Sequence, residues 1–449
     1  MRRAFLCRIL SVAMLSALAA PCQQAAEARR LTLVDAVQLA LSQNRDLKIA
    51  RLKVEENQHK KAEAKAGYFP EIKNQSNFLH LTALNNIEIP AGALGQLPNI
   101  GPVPNHDFLI DQGSQTFETI GTSVAQPLTQ LIRIHQHNRI AASEIAASRD
   151  EVKKAENDVA VRVHELYFGI LLTRLQKRAA DQQTAYANTL LRESEEDVRN
   201  GSALKVSVID SRSGLLQSEQ AALTVDLQLS DLTTELNDLL GLPLDTPLEL
   251  SPVQTVFEGR SREEYERLAW AENPQILAAE ETVEQAKAGI TAAKSAFIPD
   301  VSAVARQSYQ NGVPFLVHNF GTFGVTLSYD VFDFGKRRAV VREREAKLAQ
   351  AQENLDRLKE AVSVQIEKSY SKVARTKHML QVATEVVRLR EESERLAENQ
   401  LAQGVVLVSA RRQASAASYK AQADMLQAQL QYLLAGAELE QAAGRTPGL

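Results

Sequence analysis

The chain has 449 residues, with 51 Lys and Arg against 55 Asp and Glu, for a formal net charge of −4. That near balance gives no reason to expect nucleic-acid binding. The only cysteines, Cys7 and Cys22, lie so near the N-terminus that disulfide and thiol chemistry are excluded from everything after them.

Residues 1–28 read as an export signal. Arg2, Arg3 and Arg8 form a positive end, Ile9 to Ala20 is apolar, and Ala26-Glu27-Ala28 fits a small-x-small cleavage site. Three arginines and one glutamate leave with it, moving the formal charge from −4 to −6. Cys22 suggests a lipid anchor, but Pro21 directly before it fits a lipidated-cysteine signal poorly. No later apolar run reaches 18 residues, so any membrane crossing falls to strands.

A first unit, 29–260, opens with a helix over 35–66 whose start, Thr32-Leu33-Val34-Asp35, resembles a capping box. Strands follow at about Glu71–Leu81 and Phe117–Pro127. The tract 85–115 between them holds Pro90, Pro98, Pro102 and Pro104 and reads as a long loop without regular structure. No proline occurs between Pro127 and Pro243, which predicts helices over 128–199 and 204–240, broken at Gly201.

A second unit, 261–449, repeats the series: a helix over 262–295 opened by Ser261-Arg262-Glu263-Glu264, strands at Pro299–Tyr309 and Thr322–Val331, then helices over 335–402 and 406–442, broken at Gly404. In the last strand Phe323, Val325, Leu327, Tyr329 and Val331 alternate with small or polar residues, which predicts one face to lipid and one to a wet lumen. A half-buried strand of a soluble protein alternates in the same way.

The two units match at fixed offsets. At 203, Gly121 pairs with Gly324, Tyr167 with Tyr370, Gly201 with Gly404 and Gly241 with Gly444. At 229, Asn44 pairs with Asn273 and Pro70 with Pro299, so the first unit carries 26 extra residues between Pro70 and Gly121. A duplicated unit of about 200 residues follows. Leu215, Ala222, Leu229 and Leu236 lie seven apart with Val225, Leu232 and Leu239 interleaved, the heptad seam of a coiled coil. A helix over 128–199 is about 108 Å long at 1.5 Å per residue, and the shorter helices 204–240 and 35–66 match it end to end. Four strands cannot close a barrel, and an open edge in lipid is forbidden, so membrane-crossing strands require several chains.

These residues resemble the TolC family of outer-membrane efflux ducts. The carriers are Leu-Ala-x-x-x-Asn segments from Leu39 and Leu268, strand starts at Pro70 and Pro299, and the junctions Gln126-Pro127-Leu128-Thr129-Gln130-Leu131 and Val331 to Ala339. The resemblance implies an α+β membrane protein: a homotrimer whose twelve strands, four per protomer, form one outer-membrane β-barrel continued by a coiled-coil α-helical barrel through the periplasm. It implies a passive duct of a tripartite efflux or type I secretion system. Its partners would be a periplasmic adaptor protein, an inner-membrane transporter of RND, MFS or ABC type, and outer-membrane lipid.

The turns Gly201-Ser202-Ala203-Leu204 and Gly404-Val405-Val406-Leu407 end the long helices. Their glycines are explained as helix C-caps, and the resemblance adds adaptor docking. The family often narrows its entrance with aspartates six and nine residues past this glycine. Here Ser207 and Asp210 stand in the first unit but Ala410 and Gln413 in the second, beside Arg411 and Arg412. One reading pairs Asp210 with Arg411 or Arg412 between helices to hold the tip closed; the other, the commoner fate of such residues, is solvated surface charge with no gating role.

Glu193, Glu195, Glu196 and Asp197, like Glu391, Glu392 and Glu394, read as solvated helix faces. His135 and His137 point apart on a helix. No catalytic set, metal site or cofactor site is expected. Two other classes share parts of the pattern. A periplasmic adaptor also carries coiled-coil hairpins, though a single one beside a β-rich region. A coiled-coil structural surface protein would make the alternating strands accidental.

Overall fold

The computed structural model describes residues 29–253, 257–312 and 317–447. The export signal therefore lies outside the described residues. Strand β1 (Arg29–Leu31) leads into helices α1 (Leu33–Gln43) and α2 (Arg45–Ala66) and strand β2 (Glu71–His80). Short strands β3 (Ile87–Ile89), β4 (Gln96–Leu97), β5 (Gly101–Pro102) and β6 (Phe108–Ile110) precede β7 (Thr116–Pro127). Helices α3 (Leu131–Arg199) and α4 (Lys205–Leu239) follow, then β8 (Leu248–Leu250), α5 (Arg262–Glu272) and α6 (Pro274–Ser295). Strands β9 (Asp300–Asn311) and β10 (Asn319–Ser328) lead to α7 (Lys336–Ala402) and α8 (Val408–Ala442).

The long helices have 69 and 67 residues, each about 100 Å of unbroken rod. Beside them shorter helices are stacked in pairs. In the half nearer the sheet α2, α3, α6 and α7 pack in that order; in the far half the order is α4, α3, α8, α7. Helix α3 thus has neighbours on both flanks along its whole length, while α7 has them on one.

The predicted helices 35–66 and 262–295 are each two helices. Asn44 ends α1, and its side-chain oxygen accepts from the backbone N–H of Asp46 and Leu47 to start α2. Asn273 does the same for Gln275 N, with Pro274 fixing the first helical turn. Each asparagine also donates from Nδ2 to the end of a neighbouring helix: Asn44 to Leu239 O at 3.5 Å and Asn273 to Ala442 O at 2.9 Å. The Asn of each Leu-Ala-x-x-x-Asn segment is therefore a helix break and a tie. The Thr32–Asp35 capping box is complete, but at Ser261 only the hydroxyl half forms, at 3.3 Å from Glu264 N; the Glu264 carboxylate faces Arg260.

The main core lies at mid-height around Tyr167, Leu47, Ile170 and Leu236, all fully buried. It is closed by a parallel pair that the sequence pattern did not reveal, β1 on β8. The Tyr167 hydroxyl reaches Leu31 O at 3.0 Å and Ser251 O at 2.7 Å, and burial pushes its pKa up to about 12. A second core gathers Tyr265, Ile276, Ile366 and Leu439.

The tract 85–115 also differs from expectation. β3 pairs with β6 and β4 with β5 inside it, so it is a nested hairpin rather than an irregular loop. Its apolar Ile87, Ile89, Phe108 and Leu109 fall in the paired positions, where extended backbone suits them.

Candidate functional site: the sheet and the helix tips

At one end β10, β9, β7 and β2 form a four-stranded antiparallel sheet in that order. Its centre is the ladder between the two units, with Ser123 opposite Arg306 and Gln126 opposite Ala303. Side chains alternate between faces. One face carries Phe323, Val325 and Leu327 from β10, in register with Ala305, Ala303 and Val301. Phe323 is 92% exposed. The other carries Thr322, Thr326 and Ser328 with Arg306 and Ser302. Tyr329 and Val331 lie beyond the strand, which ends at Ser328 rather than Val331. Both outer strands, β2 and β10, have an unpaired edge among the described residues.

What ends β10 is Arg337. Its Nε and backbone N donate to Asp333 Oδ2 at 2.7 and 3.0 Å, its Nη2 donates to Asp330 O, and its guanidinium lies 5.0 Å from the Tyr329 ring centre and 5.4 Å from that of Phe297. These donations hold the Asp333 carboxyl below the usual carboxylate range. The cluster turns the chain from strand into α7. At the first junction Thr129 plays a linking part: its hydroxyl donates to Pro299 O at 2.7 Å and accepts from Val301 N at 2.8 Å, joining the two units.

At the far end α3 and α7 close with matching turns. Gly201 has φ +76° and Gly404 φ +71°, conformations an L side chain resists. Ser202 N donates to Asp197 O and Val405 N to Gln400 O, both at 2.9 Å, satisfying carbonyls that the helix ends leave free. Leu204, Val405 and Leu407 stand exposed there, with Ser202 exposed and Ala203 and Val406 half-buried. Arg411 pairs with Glu398 at 3.2 Å, Arg412 is half-buried, and Asp210 and Gln413 are exposed. Within one chain, Arg411 is thus engaged by α7 and not by Asp210.

Two features here went unread in the sequence. Glu193 is no idle surface charge: its Oε1 accepts from Ser409 N at 2.9 Å, capping α8, which has no side-chain cap of its own. Glu391 likewise accepts from Gln422 at 3.1 Å. The second feature is a pair of exposed apolar seams. On α7 Met379, Val382, Val386, Leu389 and Leu396 are exposed at steps of three and four, or seven where Ser393 intervenes. On α4, the opposite flank, Ile209, Leu216 and Leu223 lie seven apart with Val206 and Leu227 beside them. Both are heptad seams without a partner among the described residues.

Among the described residues no helix is long and apolar enough to cross a membrane. No curated protein matches the chain by sequence. Its fold is similar to that of a membrane protein from Pseudomonas aeruginosa (TM-score 0.72, 17% identity, 92% of this chain and 90% of that one). It is also similar to the outer membrane protein VceC from Vibrio cholerae (TM-score 0.70, 16% identity, 92% and 96%). A third similar structure is the CmeC outer membrane channel of Campylobacter jejuni (TM-score 0.72, 15% identity, 92% and 85%). The sequence profile for outer membrane efflux proteins matches residues 36–242 and 267–445, most of the length. The chain belongs to the outer membrane efflux protein family.

Proposed function

We propose that three copies of this outer-membrane efflux channel, each a tandem duplication, close head-to-tail into one duct. The observation that carries this is the agreement of two open flanks. One bears the free edge of β10 and the α7 seam; the other bears the free edge of β2 and the α4 seam. Placing one flank against the other pairs strand with strand and seam with seam, a heterologous contact that closes as a ring. Twelve strands then form a barrel with no edge in lipid. Phe323, Val325 and Leu327 face lipid, and Tyr329 and Val331 lie at its inner rim.

The duct is passive, and works with a periplasmic adaptor and an inner-membrane pump. The exposed Leu204, Val405 and Leu407 at the tips are the docking surface, and Asp210, Arg411, Arg412 and Gln413 shape the entrance. Purified in detergent, the mature protein is expected to have a trimer's mass and to conduct in planar bilayers. A non-conducting monomer overturns the reading. Replacing Arg411 and Arg412 with serine frees α8 from Glu398 and raises conductance; unchanged conductance removes their gating role. Loss of adaptor cross-linking in a Leu204→Asp, Leu407→Asp variant tests the docking surface.

A further inference from the structure

The polar face of the sheet holds one row unlike the rest. Thr322, Arg306, Ser123 and Lys73 lie side by side across β10, β9, β7 and β2. The carboxylates of that face, Glu71 and Asp300, lie one and three rows nearer the helices. Glu71 pairs with Lys73 at 2.8 Å, and Asp300 faces Arg133 at 3.5 Å. Arg306 enters no ion pair among the described residues, so its charge is uncompensated.

Its position is built. A Cβ on Gly121 would sit 2.6 Å from Arg306 Nη2 and 2.8 Å from Nε, so the guanidinium lies flat on the Gly121 backbone, on the neighbouring strand and one row further from the helices. The repeat partner Gly324 has nothing within 4 Å of the same position. Glycine at 121 therefore makes room for the Arg306 guanidinium from the adjacent strand, whereas Gly324, on the edge strand, has no side chain laid against it within the chain. A guanidinium laid along the wall keeps its charge at a fixed height and leaves the passage clear.

We propose that Arg306, backed by Lys73, forms a cationic collar inside the barrel that favours the passage of anionic solutes and binds polyvalent anions. The proposal rests on the trimeric duct, in which three Arg306 side chains encircle one lumen. Charges of one sign on a confined, low-dielectric wall concentrate counter-ions well beyond their effect on an open surface.

The test uses Thr322→Cys, a single thiol in the same row, since Cys7 and Cys22 are the only native cysteines and leave with the signal. Trimers in liposomes are labelled with two thiosulfonate reagents of similar size, one carrying a sulfonate and one a quaternary ammonium. The ratio of anionic to cationic labelling rates is expected to fall roughly three- to tenfold on Arg306→Gln. Arg306→Lys restores it, and Lys73→Gln lowers it less. A thiol at Phe323, on the lipid side, is unreached by either reagent. A ratio unchanged by Arg306→Gln, in trimers that still conduct, overturns the collar. Absence of trimers and conductance in the parent protein overturns the duct instead, and the collar with it.

Discussion

Helices α3 and α7 are near-copies in length and register, yet they are buried very differently. Along α3, Val163, Leu166, Tyr167 and Ile170 are sealed, with Leu166 at 3% exposure and the others at zero. At the equivalent positions of α7, Ile366 and Ser369 are buried, but Tyr370 is 36% exposed. The cause is position, not composition. Helix α3 sits between α2 and α4 on one flank and α6 and α8 on the other, whereas α7 is the last helix of the row. The two long helices carry apolar stripes at matching positions, and the fold of one chain covers only part of them. In the proposed trimer the unused stripes are what one protomer offers the next.

The contrast breaks most sharply at the seams. Ile170→Ala, in the α3 core, should destabilise the protomer by about 2–5 kcal/mol. Leu389→Asp, on α7, should leave the protomer folded and abolish the trimer. Circular dichroism melts and native mass spectrometry separate the two. A Leu389→Asp chain that still assembles would show that the α7 seam is surface only.

A smaller effect sharpens it at the tyrosines. Tyr167→Phe strips the hydroxyl from the half-buried Ser251 O and from Leu31 O, which keeps Ser251 N as a donor at 3.1 Å, a loss of about 1 kcal/mol. Tyr370→Phe should fall within about 0.5 kcal/mol in the isolated protomer. Equal losses at both sites would mean that β1 and β8 do not seal the first copy.

The smallest effect is on pH. His164 is buried against Phe168, and burial lowers its pKa from the usual 6.5 although Nδ1 lies 2.8 Å from Ala160 O. The unfolded chain then binds the proton more readily, so this contribution is intact above pH 6.5 and is lost as pH falls from there toward the lowered value. The equivalent position in α7 is Glu367, exposed and paired with Arg262. His164→Gln should flatten the melting temperature between pH 7 and 5; a profile unchanged from the parent assigns the slope elsewhere.

Most of the architecture was legible because it rests on long-range regularities. The 203-residue offset, proline-free tracts and alternation of Phe323 to Leu327 placed the long helices and the four-stranded sheet to within a few residues. Short non-local pairs were not legible: β1 and β8 have three residues each and meet across more than 200 positions. Neither helix break was read: Arg45 after Asn44 gives no local signal, and the helix expected over 262–295 ran straight through Pro274 although proline at a first helical turn is one. At the site, the turn glycines carried a clear local signal. Glu193 and Arg306 did not, since the roles of both depend on a partner strand or helix that only the fold supplies.

The pairing of β7 with β9 has a consequence for biogenesis. These strands are separated by α3, α4, α5 and α6, and Thr129 locks their bases together through Pro299 and Val301. The central ladder cannot zip until the chain has been made through β9, about two thirds of its length. Pairing across so long a stretch of chain makes the sheet a late-forming plank, set only after the rods beside it.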